Sequence, residues 1–197
     1  NCSTAQLVVA LKPLHDAFVV KRVVVSTYQA VSGAGKRAVE ELAGQTAALL
    51  NGQSAKPGVH LKQIAFNVLP AIGALQDNGY TYEEMKMVWE TQKILEDKTI
   101  EVNPTAVRIP VFYGHSEAVH VETRAPISAL EARLLLQAAP HYHHFLGMGI
   151  LTQGKKGMMK IDCPTAFRGL HEHIHTQGLL LLSGTANLEL NCWSYPY

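Results

Sequence analysis

An α+β fold, with a mixed or antiparallel sheet and helices on one face, is what this sequence predicts, and three observations carry it. Val23-Val24-Val25-Ser26-Thr27-Tyr28 is a β-branched run with the length of a buried strand. Ala118-Val119-His120-Val121-Glu122 alternates apolar and polar residues, as a half-buried strand does. Other segments place apolar residues at helical spacing and carry capping signals at their starts. With 197 residues, 47% of them hydrophobic, the chain is long enough for one good-sized core or two small ones.

Taken in order, Ser3 to Asp16 reads as a helix, with Leu7, Val8, Leu11 and Leu14 recurring on one side and Ser3 or Thr4 as its cap. The Val23 strand runs to Gln29 and opens into the glycine-rich turn Ser32-Gly33-Ala34-Gly35-Lys36. Arg37 to Leu50 is helical, stopped by Asn51-Gly52. A polar loop, Gln53 to Gly58, leads to an expected strand from His60 to Leu69 and an irregular stretch from Pro70 to Gly79. Thr81 caps a helix from Tyr82 to Leu95, with Glu83 and Glu84 in its first turn. From Ile100 to Thr123 the pattern is strand-like, with Val107 to Tyr113 leading into Gly114-His115-Ser116. Pro126 begins a helix from Ile127 to Ala138, with Ser128 and Glu131 in capping-box relation and Leu130, Leu134 and Leu135 on one face. The expected sheet is covered by the helices starting at Ser3, Lys36 and Tyr82.

Charge balance is close to neutral, 17 basic against 16 acidic residues, which gives no electrostatic reason for nucleic acid or a membrane surface as partner. Three widely spaced cysteines argue against a disulfide framework and for a reducing, cytoplasm-like compartment. No run of about 18 apolar residues marks a membrane helix.

Chemistry-bearing residues begin at once. Cys2 sits at a helix start, where the dipole favours an anion and lowers a thiol pKa. A lone cysteine is more often buried and inert, so position by itself leaves both readings open. Glu83 and Lys86 project from one helix face, as a surface ion pair or as part of a site. His115 follows Gly114, which lets the backbone bend beside it, and reads as structural or catalytic.

In combination, Asn1-Cys2-Ser3-Thr4, Ser26-Thr27-Tyr28-Gln29 with Ser32-Gly33-Ala34-Gly35, Glu83-x-x-Lys86 running into Glu90-Thr91-Gln92-Lys93-Ile94, and Arg108 to Ser116 resemble the catalytic half of aspartate-semialdehyde dehydrogenase. The order matches over residues 1 to about 139. The resemblance implies a domain like the C-terminal domain of glyceraldehyde-3-phosphate dehydrogenase. It also implies an NADP-dependent, cytoplasmic enzyme of lysine, threonine and methionine biosynthesis. In that family L-aspartyl 4-phosphate and aspartate semialdehyde are interconverted through a cysteine thioester. Cys2 would be the nucleophile, His115 the general acid-base and Gln29 the amide that orients the carbonyl. Arg108 would grip the substrate carboxylate, Glu83 hold its ammonium group, Asn1 and Lys86 contact phosphate, and Ser32 and Gly33 touch the cofactor. A homodimer or homotetramer is implied as well. The related N-acetyl-glutamyl-phosphate reductase shares the cysteine and histidine chemistry, but Glu83-x-x-Lys86 and Gly114-His115-Ser116 fit the aspartate enzyme better.

The sequence departs from the family in two places. No initiator Met and no Gly-x-Gly-x-x-Gly dinucleotide unit stands before Cys2, so a fragment without dehydrogenase activity, or a non-catalytic partner of a full-length subunit, is expected. The likeness divides the chain at residues 1–140 and 141–197. Six of the ten histidines fall in the second part. Moving the reading frame one base across His141-Tyr142-His143-His144 leaves only Ile or Thr codons, so residues 141–197 are expected to be a frame-shifted tail. Its rival is a metal site from His171-x-His173-x-His175 with Cys163, His143 and His144, but no Cys-x-x-Cys or His-Glu-x-x-His spacing supports it, and no metal is expected.

Overall fold

The computed structural model describes residues 1–139, 150–152, 179–184 and 187–192. The elements are α1 (Cys2–Phe18), β1 (Val20–Gln29), a 3-10 turn (Val31–Ala34), α2 (Lys36–Leu50), α3 (Tyr82–Ile94), β2 (Glu101–Arg108), β3 (Ser116–Thr123), α4 (Ala129–Ala138), β4 (Ile150–Thr152), β5 (Leu179–Gly184) and β6 (Asn187–Cys192). The strands form one mixed sheet in the order β2-β1-β3-β6-β5-β4. β1 runs parallel to β2 and antiparallel to β3, so the chain must cross over through α2 and α3 to return beside β1. The expected α+β architecture is the one observed.

The period-two pattern decides which sheet face is covered. Val20, Val23 and Val25 of β1 and Val119 and Val121 of β3 point into a cluster with Leu7, Leu11 and Leu14 of α1, Met87 of α3 and Leu136 of α4. The alternate residues Val24, Ser26 and Tyr28 lie on the open face, in register with His120, Ala118 and Ser116.

Local chemistry sets the helix starts. Thr81 Oγ1 accepts from Glu84 N–H and Thr81 N–H donates to Glu84 Oε2, a reciprocal cap on α3. Ser128 and Glu131 form the same box, so α4 begins at Ala129 rather than Ile127, because Ser128 must stay extended to cap. That phase turns Ala132 and Leu136 inward and leaves Leu130 and Leu134 exposed, while Leu135 packs against the core. Neither Ser3 nor Thr4 caps α1. The Asn1 side chain does, accepting from Ser3 N–H at 2.8 Å and Thr4 N–H at 3.2 Å, while the side chains of Ser3 and Thr4 are buried in the core.

Three further expectations are corrected. α2 does not cover the sheet; it packs over the 3-10 turn in a separate cluster of Val31, Ala38, Leu42, Ile64 and Ala65. No strand runs from His60 to Leu69, where only Leu69 bridges Arg108. The backbone of that segment is satisfied by side chains of α2 instead: Glu41 accepts from the N–H groups of Gly58, Val59 and His60, and Gln45 Oε1 from those of Ile64 and Ala65. β2 stops at Arg108, and residues 109–113 form a loop held by Ile109 N–H to Gln29 O, Val31 N–H to Val111 O and Ser32 N–H to Phe112 O. Among the described residues no helix is long and apolar enough to cross a membrane.

Candidate active site

Three sheet ends and two helix starts converge on Cys2. The helix start places its sulfur beside the β3 entry, and Gly114, at φ 81°, makes the left-handed bend that turns His115 back toward it. His115 Nε2 lies 3.0 Å from Cys2 Sγ. On its other side, His115 Nδ1 accepts from Ala30 N–H at 3.0 Å. The neutral ring therefore carries its hydrogen on Nε2, facing the sulfur.

Arg108, at the end of β2, is 7% exposed and donates from Nη1 to Ala30 O at 2.7 Å. Burial pulls its pKa down, opposed by the negative charge of Glu83 and by Cys2. Gln29, at the end of β1, is buried, and its amide Nε2 reaches Thr27 Oγ1 at 3.2 Å and Glu83 Oε1 at 3.4 Å. The Glu83 carboxylate also meets Lys86 Nζ at 2.7 Å, and that contact is the main reason the Lys86 pKa is raised. Asn1 Nδ2 donates to Glu83 O at 3.5 Å, which ties the cap of α1 to α3.

The thiol does not behave as its helix position alone suggests. Although Cys2 is exposed at the surface, the protein packed around its sulfur is the largest influence and pushes its pKa up, and the Glu83 carboxylate adds to this. The N–H groups of Ser3 and Cys2 pull it down without prevailing. A thiolate formed here would meet the Nε2–H of His115 as well as the N–H groups at the start of α1.

The structure thus brings Cys2, His115, Gln29, Arg108, Glu83, Lys86 and Asn1 together in one linked group. Gly33 joins it on the outer side. A Cβ built there would stand 3.0 Å from Arg108 Nη1 and 3.3 Å from His115 Cε1, so any larger residue would press on both side chains. Ser32 lies beside it on the 3-10 turn. Sequence reasoning missed Ala30, whose backbone holds both His115 and Arg108; no side-chain pattern signals such a role. It also missed Glu84, whose Oε1 accepts from Ala106 N–H at 2.9 Å and fixes α3 to β2. The Thr81-x-x-Glu84 spacing was the available signal for that residue.

Among the described residues no group of three or more His, Cys, Asp or Glu could hold a metal ion. His143, His144, Cys163, His171, His173 and His175, the candidate ligands of the second part of the chain, lie outside the described residues, as does most of 141–197.

Comparison with known proteins adds the following. A family model described as the dimerisation domain of semialdehyde dehydrogenase matches residues 11–155. Aspartate-semialdehyde dehydrogenase 2 of Vibrio cholerae is 59% identical over 153 residues, which cover 78% of this chain and 45% of that protein. The aspartate-semialdehyde dehydrogenase of Legionella pneumophila is 61% identical over 140 residues, covering 71% of this chain and 40% of the relative. The crystal structure of aspartate semialdehyde dehydrogenase II from Vibrio cholerae complexed with ASA matches with a TM-score of 0.76 at 46% identity, over 97% of this chain and 54% of that one. The chain spans about half the length of the curated relatives it matches.

Proposed function

Since the chain belongs to the aspartate-semialdehyde dehydrogenase family, we propose that its residues carry the reversible conversion of L-aspartyl 4-phosphate to L-aspartate 4-semialdehyde through a thioester on Cys2. The observation that carries this reading is the 3.0 Å approach of His115 Nε2 to Cys2 Sγ, inside a group with one buried guanidinium and one carboxylate. The substrate has a carboxylate, an ammonium group and an acyl phosphate, and the site offers a partner of fitting charge to each.

In the biosynthetic direction the Cys2 thiolate attacks the acyl carbon, the C–S bond forms, and the C–O bond to phosphate breaks with phosphate leaving. His115 stabilises the thiolate through its Nε2–H and holds that proton where it can be shared with the reacting oxygen. Arg108 grips the α-carboxylate with the guanidinium edge not engaged by Ala30 O, and Glu83 receives the ammonium group. The Gln29 amide orients the carbonyl. Lys86 and Asn1 face the phosphate. The bare, exposed backbone of Gly33 beside His115 fits the close approach of a flat cofactor ring, and Ser32 adds a hydroxyl there. NADP, when bound, supplies or takes up the hydride that interconverts thioester and aldehyde. Every residue in these roles lies within 1–140, the segment we assign as the catalytic and dimerisation domain. A second copy of the domain is the partner the family description suggests, through the open sheet face that carries Val24, Ser26 and Tyr28.

The acylation half-reaction tests this directly. Incubated with L-aspartyl 4-phosphate and no reductant, the chain should gain an aspartyl group on the peptide containing Cys2, read by mass spectrometry. Cys2→Ser should remove the thioester, and Arg108→Lys should slow its formation by about tenfold to a hundredfold. Acylation at Cys163 or Cys192 with Cys2 unmodified would overturn the assignment.

A further inference from the structure

Arg108 is the last residue of β2, and its backbone is fixed on both edges. On the inner edge it stands in register with Gln29 of β1. On the outer edge its N–H donates to Leu69 O at 2.8 Å and its C=O accepts from Leu69 N–H at 2.9 Å, although Leu69 belongs to no strand. Two residues earlier the N–H of Ala106 is taken by Glu84 Oε1, so α3 secures one position of this edge and Leu69 the next. What holds Leu69 in turn is α2. Gln45, 4% exposed, commits its whole amide to the segment that leads there: Oε1 accepts from Ile64 N–H at 2.9 Å and Ala65 N–H at 3.1 Å, while Nε2 donates to Lys56 O and Glu41 Oε1. Beyond Ala65 the chain closes a turn at Asn67, whose N–H donates to Ile64 O and whose Nδ2 donates to Gln63 O. Leu69 follows, packed against the same small cluster that contains Ile64 and Ala65.

We propose that Gln45 is a positioning residue for Arg108: by anchoring Ile64 and Ala65 it holds Leu69 against the outer edge of β2, and so fixes the base from which the guanidinium reaches the substrate carboxylate. The inference rests on Arg108 being the group that grips that carboxylate. Gln45 lies on α2 and acts through backbone bonds. Without its oxygen, two buried N–H groups lose their acceptor, and the segment satisfies them by swinging toward water. Leu69 moves with it. The N–H and C=O of Arg108 then lose their outer partner at the point where β2 ends and the chain leaves the sheet. His115 is held instead by the N–H of Ala30, directly after β1, and Cys2 by the start of α1, so the damage falls on recognition of the carboxylate rather than on the nucleophile.

The test is Gln45→Leu in the full chain, which keeps similar bulk and removes the amide. Amide exchange followed by NMR should become about tenfold faster at Leu69 and Arg108, while the Val25 amide in the middle of β1 stays within about twofold of the natural chain. Acylation of Cys2 then separates positioning from general loosening. For L-aspartyl 4-phosphate the half-saturating concentration should rise by about threefold to tenfold, with the saturating rate within about twofold of the natural one. The 3-aminopropanoyl phosphate, which is the same acyl phosphate without the carboxylate, should acylate both forms alike. Glu41→Gln weakens the acceptor of Gln45 Nε2 and should give the same pattern at smaller size, which keeps the test open should Gln45→Leu fail to fold. Unchanged exchange at Leu69 and Arg108 would overturn the proposal, and so would equal losses with the two acyl phosphates. A natural chain with no preference for L-aspartyl 4-phosphate over the 3-aminopropanoyl compound would instead overturn the carboxylate role of Arg108, and this inference with it.

Discussion

The large cluster under α1, α3 and α4 and the small cluster under α2 hold their backbones by different means. In the first, β1 is laddered on both edges, to β2 and to β3, and the helices add apolar area over Val23, Val25, Val119 and Val121. In the second, a segment without regular structure hangs from two side chains of α2, Glu41 and Gln45. Each cluster also contains a carboxyl group with a displaced pKa, and the displacements have opposite signs. Glu41 is raised by burial, but the N–H groups of Gly58, Val59 and His60, with the His60 ring, outweigh this and hold it below the ordinary carboxylate value. Glu117 has only the side chains of Gln6 and Ser3 pulling it down, against full burial, and is pushed up to about 8. Burial raises both, more strongly at Glu117, and only Glu41 has backbone N–H groups to outweigh it.

The sharpest way to break this contrast is to cut each cluster. Leu11→Ala removes a fully buried side chain from the laddered core and should cost about 3–5 kcal/mol of global stability in urea unfolding. Ile64→Ala should cost less, about 2–3 kcal/mol, because an irregular segment can collapse around the gap. Equal losses would mean that the two clusters are one cooperative unit.

Next in size are the pH effects. For Glu117 the native carboxyl keeps its proton to about pH 8 while the unfolded one loses it near 4.5, so the native state binds more protons across that window. Stability should therefore fall as pH rises from 4.5 to 8, by up to about 1.4 kcal/mol per pH unit, and Glu117→Gln should flatten the slope. For Glu41 the native pKa is the lower one, so its contribution is present above 4.5 and is lost as pH falls below that value. Amide exchange at Gly58 to His60, corrected for intrinsic rates, should accelerate in acid before the β1 amides do. The smallest expected effect lies at the joint between α1 and β1. Val19 is a β-branched residue at φ 54°, in the left-handed region, and Val19→Gly should gain roughly 0.5–1 kcal/mol in thermal unfolding.

The same contrast explains what could be read in the sequence. Local signals gave true elements: the Thr81-x-x-Glu84 box started α3, and the alternation at 118–122 put Val119 and Val121 inward. The expected strand at His60 to Leu69 failed because its backbone partners, Glu41 and Gln45, lie outside any window in which periodicity is counted. In the site, Cys2, Gln29, Arg108 and His115 were legible as side chains in motifs. The raised thiol pKa was not, since it depends on burial and on Glu83, which reaches Cys2 only after α3 has packed against α1. Glu117 was legible only as a residue beside an alternating strand; its isolation comes from what surrounds it in space.

Ala30 contributes its N–H to His115 and its C=O to Arg108, through the two peptide planes that meet at its Cα. Rotation about either backbone bond of this residue moves the partner of one group relative to the partner of the other. The ring beside the Cys2 sulfur and the buried guanidinium thus share a pivot, and a change that retunes one disturbs the other. Gly33, where a Cβ would press on both side chains, bounds the same pair from the outer side.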